Sequence, residues 1–264
     1  MTPPKSTNYR LQGAFFFAVL IFFYLPLATL VLVSFSSGRV TEFPPPGYTL
    51  QWYTGMLANP RALSSVLTSL GVGVTAALVS TSLATAFAFG LHQRRAAWVT
   101  VLRSFGNLPL VMAPMIIGVS LLIFFNLIGM RLGYLSVTIA HVVRGFPFAA
   151  IIMATAFLSV RPSLLEAALD LGASRISAFR RVVVPAIMPG LVASLLVTFS
   201  VSFDEINSTI FVIGGGVSTV QTFILEQIEF VVTPEMNALT TVIIVATLLV
   251  ALATDRLRSR EDKP

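Results

Sequence analysis

Long uncharged apolar segments recur along the chain, and they restrict it to folds that place such segments in a membrane. Three of the longest are Leu11–Phe35, Ala62–Leu91 and Leu108–Ile128. Of the 264 residues, 56 % are hydrophobic and only 11 % carry a charge, whereas about a quarter are charged in an average soluble domain. Because hydrocarbon cannot satisfy open backbone groups, segments of this length are expected to cross a bilayer as helices. The sequence therefore predicts an all-α membrane protein.

Six transmembrane helices are predicted within a single membrane domain, residues 11–253. Their approximate ranges are 11–35, 64–91, 108–128, 134–158, 191–213 and 237–253, with a polar loop at 161–190 and polar tails at 1–10 and 254–264. The first span is expected to be retained, because it is too long for a secretory signal and lacks a small-residue cleavage site. An even number of spans places both tails on the same side of the membrane.

Basic residues are distributed unequally between the two predicted sides. The side with the tails would hold Lys5, Arg10, Arg94, Arg95, Arg103, Arg161, Arg175, Arg180, Arg181, Arg256, Arg258, Arg260 and Lys263, and the other side only Arg39, Arg61 and Arg131. Because Lys and Arg accumulate in cytoplasmic loops, both termini and the polar loop are predicted to be cytoplasmic. This topology accounts for the net charge of +6, so no nucleic-acid partner is expected.

The loop between the fourth and fifth spans has the pattern of two short helices joined by a tight turn. Pro162 suits the first turn of a helix, which Gly172 is expected to end as a left-handed cap. Ser174 can cap a second helix, Arg175–Val184, and Pro185 is predicted to stop it. The loop is therefore expected to project from the membrane as a helical hairpin.

The first helix of this hairpin carries a recognisable motif. Glu166, Ala167 and Ala168 are followed after three residues by Gly172, and after nine more by Val182–Pro185. The small alanines allow another surface to approach closely, with one charge beside them. The spacing resembles the Glu-Ala-Ala loop of binding-protein-dependent ABC importer permeases, where Ile-x-Leu-Pro stands in place of the three valines and proline. The chain is therefore identified as a permease of this family.

This resemblance covers roughly residues 11–253 and implies the type I ABC importer permease fold. It implies that the loop is a cytoplasmic coupling helix that docks in a cleft of an ATPase subunit. The coupling surface would comprise Glu166, Ala167, Ala168, Asp170, Gly172, Ala173 and Pro185. The implied partners are a second permease, expected to be a different chain, two copies of an ABC ATPase and an extracytoplasmic substrate-binding protein, in a bacterial inner membrane. ATP and Mg would be bound by the partner ATPase, and no cofactor by this chain.

Two further runs resemble the second permease of spermidine/putrescine importers. They are Ser202–Glu205 with the later Phe211–Gly214, and Pro234–Leu239 at the beginning of the sixth span. The resemblance therefore implies that the solute is a polyamine. Similar runs occur in permeases for other small charged solutes, so an amino acid or opine, an aminophosphonate or a metal ion stays as an alternative.

Ionisable residues at membrane depth indicate functional or packing sites, because each costs roughly 3 kcal/mol on insertion scales. The fourth span carries His141 and Arg144 on one helical face, and the fifth carries Asp204 and Glu205, followed by Asn207. One hypothesis is that the acids and Asn207 line the substrate pathway and attract a cation. The other is that one acid pairs with Arg144 and fixes how the spans pack. Adjacent residues lie about 100° apart round a helix, so both can hold, and His141 is expected to be a packing residue.

Enzyme chemistry is not expected, and neither a catalytic residue nor a metal site is predicted. The chain has no cysteine and only two histidines, and it lacks a Walker sequence that would bind ATP. Two other classes of function stay open. One is a secondary transporter driven by an ion gradient, which would use the intramembrane acids as proton or sodium sites. The other is a membrane scaffold without a pathway.

Overall fold

The computed structural model of the protein describes residues 9–38, 44–92, 106–228, 234, 236–245 and 247. In this part of the chain the regular structure is helical, apart from one isolated β-bridge between Ser36 and Tyr48. The helices are α1 (Tyr9–Val33), α2 (Gln51–Ala58), α3 (Pro60–His92), α4 (Pro114–Leu127), α5 (Tyr134–Leu158), α6 (Pro162–Asp170), α7 (Arg175–Phe203), α8 (Thr209–Val212), α9 (Val220–Ile228) and α10 (Met236–Val245), and a helical stretch at 106–111 precedes α4. The prediction of an all-α protein is confirmed.

Four helices among the described residues are long and apolar enough to cross a bilayer. They are Gln12–Val33 within α1, Pro60–Leu91 within α3, and the whole of α5 and α7. The chain is therefore a multi-pass membrane protein. The predicted third span contains a break at Met112 and Ala113, after which α4 begins with Pro114 in its first turn, where a proline loses no helical hydrogen bond. The end of the predicted sixth span, residues 1–8 of the N-terminal tail and the C-terminal tail lie outside the described residues.

The chain divides into two compact units, and the first comprises residues 1–63 and 224–264. Within it, side chains from the beginning of α2 hydrogen-bond to the segment that follows α1. The indole N–H of Trp52 donates to the carbonyl of Ser36 over 2.7 Å, and the hydroxyls of Tyr53 and Ser34 lie 2.6 Å apart. These bonds hold α2 against the end of α1.

The second unit, residues 64–223, is built on small residues that let α3, α5 and α7 pack closely. Its larger core consists of Ala84, Ala88, Ala149, Ala150, Met153, Phe157, Val160, Val183 and Ile187. A Cβ added to Gly190 on α7 would overlap the Cβ of Ala156 on α5. Such small side chains permit tight helix contacts where no hydrophobic force drives the helices together.

The close approach of α5 and α7 predicts a position-specific effect of one methyl group. Gly190→Ala should destabilise the purified protein by about 1–3 kcal/mol, as overpacked core sites do. Gly90→Ala is the matched control, because a Cβ there would meet nothing within 4 Å. Thermal unfolding in detergent measures both, and equal melting temperatures for the two variants would contradict the close contact.

A second, smaller core positions the segment that follows α7. It comprises Val72, Phe125, Val137, Ala140 and Val212, from α3, α4, α5 and α8. On α4, a Cβ added to Gly118 would lie 2.8 Å from the Cα of Ser208. The backbone between α7 and α8 is therefore enclosed by α4 on one side and α5 on another.

Helix α7 differs from the prediction at both of its ends. It continues through Pro185, because Phe179–Val183 form a π-helical turn in which the N–H of Val184 donates to the carbonyl of Phe179. Such a turn shifts the hydrogen bonds to five-residue spacing and accommodates a proline that cannot donate to the four-residue ladder. The predicted stop at Pro185 is therefore wrong. At the other end α7 stops at Phe203, although the predicted fifth span extends to Ile213.

Candidate functional site

The polar residues that the sequence predicts at membrane depth lie at a break in the helical path between α7 and α8. Asp204 follows the last residue of α7 with φ −90° and ψ 2°, and α8 does not begin until Thr209. Non-helical backbone at this depth is tolerated where protein or water satisfies its polar groups. The acids Asp204 and Glu205 therefore lie at the end of a helix rather than along it. The prediction that they are separated by the angle between adjacent residues of a helix is wrong.

Glu205 turns into the protein and pairs with Arg144 of α5. The Nε of Arg144 lies 3.3 Å from Oε2 of Glu205, and their side chains are 19 % and 5 % exposed. The other carboxylate oxygen accepts the backbone N–H of Ser208 over 2.9 Å, and the guanidinium lies 5.5 Å from the ring centroid of Phe148. Glu205 thus joins α5 to the break and satisfies a backbone donor within it.

His141 makes a second link from α5 to the same break. Its Nδ1 lies 2.6 Å from the hydroxyl of Ser202 in the last turn of α7, and its Nε2 lies 2.8 Å from the hydroxyl of Thr209 at the beginning of α8. The imidazole is buried, and these two hydroxyls satisfy both of its nitrogens. Sequence reasoning missed Ser202 and Thr209 as partners, and their only signal was that they flank the acidic pair.

Asp204 and Asn207 face away from this network. Both residues are exposed, and neither side chain bonds to another residue that the structure describes. In the last turn of α7, the rings of Phe199 and Phe203 stack with centroids 5.7 Å apart. A carboxylate and a nearby aromatic pair both attract cations. Of the two acids, Asp204 is therefore the one that is accessible to a cationic solute.

The hairpin of α6 and α7 is closed by a tight turn with a positive backbone angle. Gly172 has φ +83°, and its N–H donates to the carbonyl of Leu169 over 2.9 Å. The N–H of Ala173 donates to the carbonyl of Ala168 over 3.1 Å, which completes a Schellman motif. Ser174 then caps α7, since its hydroxyl accepts the N–H of Ser177 over 3.3 Å.

The tip of this hairpin presents both charged and apolar side chains. Glu166, Ala167, Asp170 and Gly172 are exposed, Ala168 and Ala173 are half-buried, and Pro185 is exposed further along α7. Leu171 is 89 % exposed and Ile176 is 74 % exposed, although the sequence analysis assigned neither residue to the coupling surface. Apolar side chains beside the turn favour a surface that another protein covers.

Comparison with known proteins decides the family. Residues 100–262, more than half of the chain, match the family described as "Binding-protein-dependent transport system inner membrane component". The chain belongs to this family. The identification made from the Glu-Ala-Ala motif is therefore confirmed.

Among curated relatives, this permease is similar to two proteins of Escherichia coli K12. It is 28 % identical over 243 residues to "Spermidine/putrescine transport system permease protein PotC", with 92 % of each chain covered. It is 29 % identical over 253 residues to "Putrescine transport system permease protein PotI", with 92 % of this chain and 88 % of the relative covered. The similarity thus extends along nearly the full length of both relatives.

Solved structures show the same permease fold. A bacterial ABC transporter for the import of alginate superposes with a TM-score of 0.74 at 15 % identity, covering 97 % of this chain and 96 % of that chain. The MetNI methionine ABC transporter superposes with a TM-score of 0.61 at 18 % identity, covering 76 % and 96 %. The permease therefore has the fold of ABC importer permeases.

Proposed function

We propose that this permease forms half of the translocation pathway of an ATP-driven importer for a polyamine. Its likeness to PotC and PotI over 92 % of its length carries the proposal, because both relatives are named for spermidine or putrescine transport. The other half of the pathway would be a second, different permease. Two copies of an ABC ATPase would bind ATP and Mg, and an extracytoplasmic binding protein would deliver the solute.

In this proposal the membrane contains six spans of the chain, with both termini in the cytoplasm of a bacterium. The exposed arginines Arg161, Arg175, Arg180 and Arg181 lie at and beside the α6–α7 hairpin, where the positive-inside rule favours a cytoplasmic location. The same hairpin carries the exposed Leu171 and Ile176. A basic, partly apolar projection on the cytoplasmic side supports the docking of an ATPase subunit there.

Coupling would run from the ATPase through the hairpin into the membrane. When the ATPases close on ATP, they would move the tip around Glu166 and Gly172. Because α7 runs without interruption from Arg175 to Phe203, that motion reaches the break at Asp204 along a single helix. Such a lever switches the pathway when its contacts differ between two states, as a coupling element requires.

The substrate class is tested by reconstitution of the complete importer in liposomes. Uptake of labelled spermidine should require ATP, the binding protein and this chain, and an excess of unlabelled putrescine should suppress it. Amino acids, aminophosphonates and divalent metal ions are the competitors. Suppression by one of these and not by putrescine would replace the polyamine, whereas ATP-independent uptake would contradict the importer itself.

Asp204 is the residue through which charge selection is expected. Asp204→Asn should raise the KM for spermidine uptake about tenfold, since a carboxylate at about 4 Å attracts a cation by roughly 1–4 kcal/mol in a wet or partly wet site. Asp204→Glu is the matched variant that keeps the charge, and it should retain most uptake. Initial rates over a range of solute concentrations measure both, and an unchanged KM in Asp204→Asn would remove Asp204 from the pathway.

A further inference from the structure

His141 bridges the break that separates α7 from α8. Its ring reaches Ser202 on one side of the break and Thr209 on the other, over 2.6 and 2.8 Å. Only 3 % of its surface is exposed, so solvent does not compete for these two bonds. The side chain of His141 on α5 therefore hydrogen-bonds to residues on both sides of the break.

The hydrogen bonds around His141 also determine which nitrogen carries the proton. The hydroxyl of Thr209 donates its single proton to the carbonyl of Glu205 over 2.7 Å. It can therefore only accept from the ring, so Nε2 is the protonated nitrogen. In the neutral ring Nδ1 then accepts from the hydroxyl of Ser202. The imidazole works as a directed bridge with one donor and one acceptor.

The bridge and the ion pair act on different parts of one short segment. His141 holds the residues that flank the break, and Arg144 holds Glu205 within it at 3.3 Å. Both come from one face of α5, and Ser136 of the same helix donates to the carbonyl of Val212 at the end of α8 over 2.7 Å. With Glu205 drawn toward α5, its neighbour Asp204 is left exposed.

We propose that His141 is a positioning residue, whose two-ended bridge sets the backbone of the break so that the Asp204 carboxylate stands free for a cationic solute. This inference rests on the proposed function, because it acts through Asp204. His141 itself touches no solute. Its removal should let α7 and α8 move relative to each other, while Arg144 and Glu205 still hold the middle of the segment.

A double-mutant cycle in the reconstituted importer tests whether His141 acts through Asp204. His141→Ala should raise the KM for spermidine about tenfold, from the loss of two buried hydrogen bonds, and His141→Gln should restore most of the affinity because it keeps a donor and an acceptor. In the Asp204→Asn background, His141→Ala should have less than about a twofold further effect. A further tenfold loss there would show a separate structural role and overturn the proposal.

A chemical probe reports the position of residue 204 without reference to transport. The chain contains no cysteine, so Asp204→Cys introduces a single reactive thiol when the partner subunits are also cysteine-free. Adding His141→Ala should slow its modification by a cationic methanethiosulfonate about fivefold, and adding His141→Gln should not. Ser80→Ala is the control, since it removes another side-chain bond to α5, to the carbonyl of Val142 at 3.2 Å, and leaves both hydrogen bonds of His141 in place.

The outcomes separate this inference from the function on which it rests. The inference is overturned if the thiol at residue 204 is labelled at the same rate with and without His141. This result holds even if Asp204→Asn changes the KM too little for the double-mutant cycle to be interpreted. Normal uptake by Asp204→Asn overturns it as well, while polyamine import by the wild-type complex still stands. Absence of any spermidine uptake by the wild-type complex contradicts the proposed function, and the labelling comparison then still reports on the bridge.

Discussion

Gly172→Pro is expected to abolish ATP-driven uptake while the chain still inserts into the membrane. The backbone at this residue has φ +83°, and proline is locked near φ about −65°. Proline also removes the N–H that donates to the carbonyl of Leu169 over 2.9 Å. The turn between α6 and α7 would therefore open, and the tip of the hairpin would lose the shape that the ATPase is proposed to bind. Uptake, ATPase co-purification and membrane abundance are the three measurements.

Gly172→Asn is the matched control for this prediction. A Cβ at residue 172 would meet nothing within 4 Å, so the backbone angle alone limits the substitution. Asparagine tolerates the left-handed region better than other side chains and keeps the N–H, so this variant should dock the ATPase and transport. Full uptake by Gly172→Pro would contradict the coupling role of the hairpin.

Glu166→Arg tests the same surface without altering the turn. Glu166 is exposed on α6, so the substitution leaves the fold intact but reverses the charge beside the exposed Ala167. We expect weakened ATPase docking and loss of uptake, and Glu166→Gln should have a smaller effect because it adds no positive charge. If the purified Glu166→Arg permease binds the ATPase as tightly as the wild type, the docking surface lies elsewhere.

The hairpin could be predicted from sequence because its determinants are local. The proline that begins α6, the glycine at the turn and the serine that caps α7 each act on backbone groups within a few residues. The structure accordingly contains Pro162 in the first turn, Gly172 with a positive φ and a capping bond to Ser174. Exposure of Leu171 was not predictable, since a hydrophobic residue in a helical pattern is usually expected to be buried.

The course of α7 could not be predicted in full, because a π-helical turn lets it continue through a proline and contacts from a distant helix stabilise the break where it ends. Pro185 is a stop signal in isolation, yet the π-helical turn before it keeps the helix continuous. The predicted fifth span extends across the mostly polar residues 204–209 to the apolar residues 210–213, yet the helix ends at Phe203. The groups that stabilise the break come from α5, 61 residues earlier in the sequence in the case of His141 and Ser202. Hydropathy and local propensity contain no information on such partners.

The sequence indicated that Arg144 could pair with Asp204 or with Glu205, but it did not decide between the two acids. Arg144 needed an acid, and two adjacent acids were available in the fifth span. The choice of Glu205 depends on the end of α7, which places Asp204 at the helix terminus and Glu205 in the turn beyond it. The sequence does not specify where that helix ends, so the assignment required the structure.

Arg144→Met is expected to destabilise the permease more than any other single change at the break. It leaves the Glu205 carboxylate, whose side chain is 5 % exposed, buried without its counter-charge. Breaking a buried ion pair in this way costs about 3–5 kcal/mol. The melting temperature of the purified chain and the fraction that assembles with its partners should both fall. Glu205→Gln should cost less, because the amide still accepts the N–H of Ser208 and Arg144 is 19 % exposed.

The double variant Arg144→Met with Glu205→Gln separates charge compensation from packing. An uncharged pair of similar size leaves no buried charge without a counter-charge. Replacing a buried ion pair by uncharged groups often changes the stability little. We therefore expect the double variant to recover most of the stability lost in Arg144→Met, and to transport if Asp204 alone selects the cation. If it is as unstable as Arg144→Met, packing of the guanidinium against Phe148, 5.5 Å away, contributes more than the charge. If it is stable but does not transport, Glu205 acts in the pathway as well as in the packing of α5 against α7.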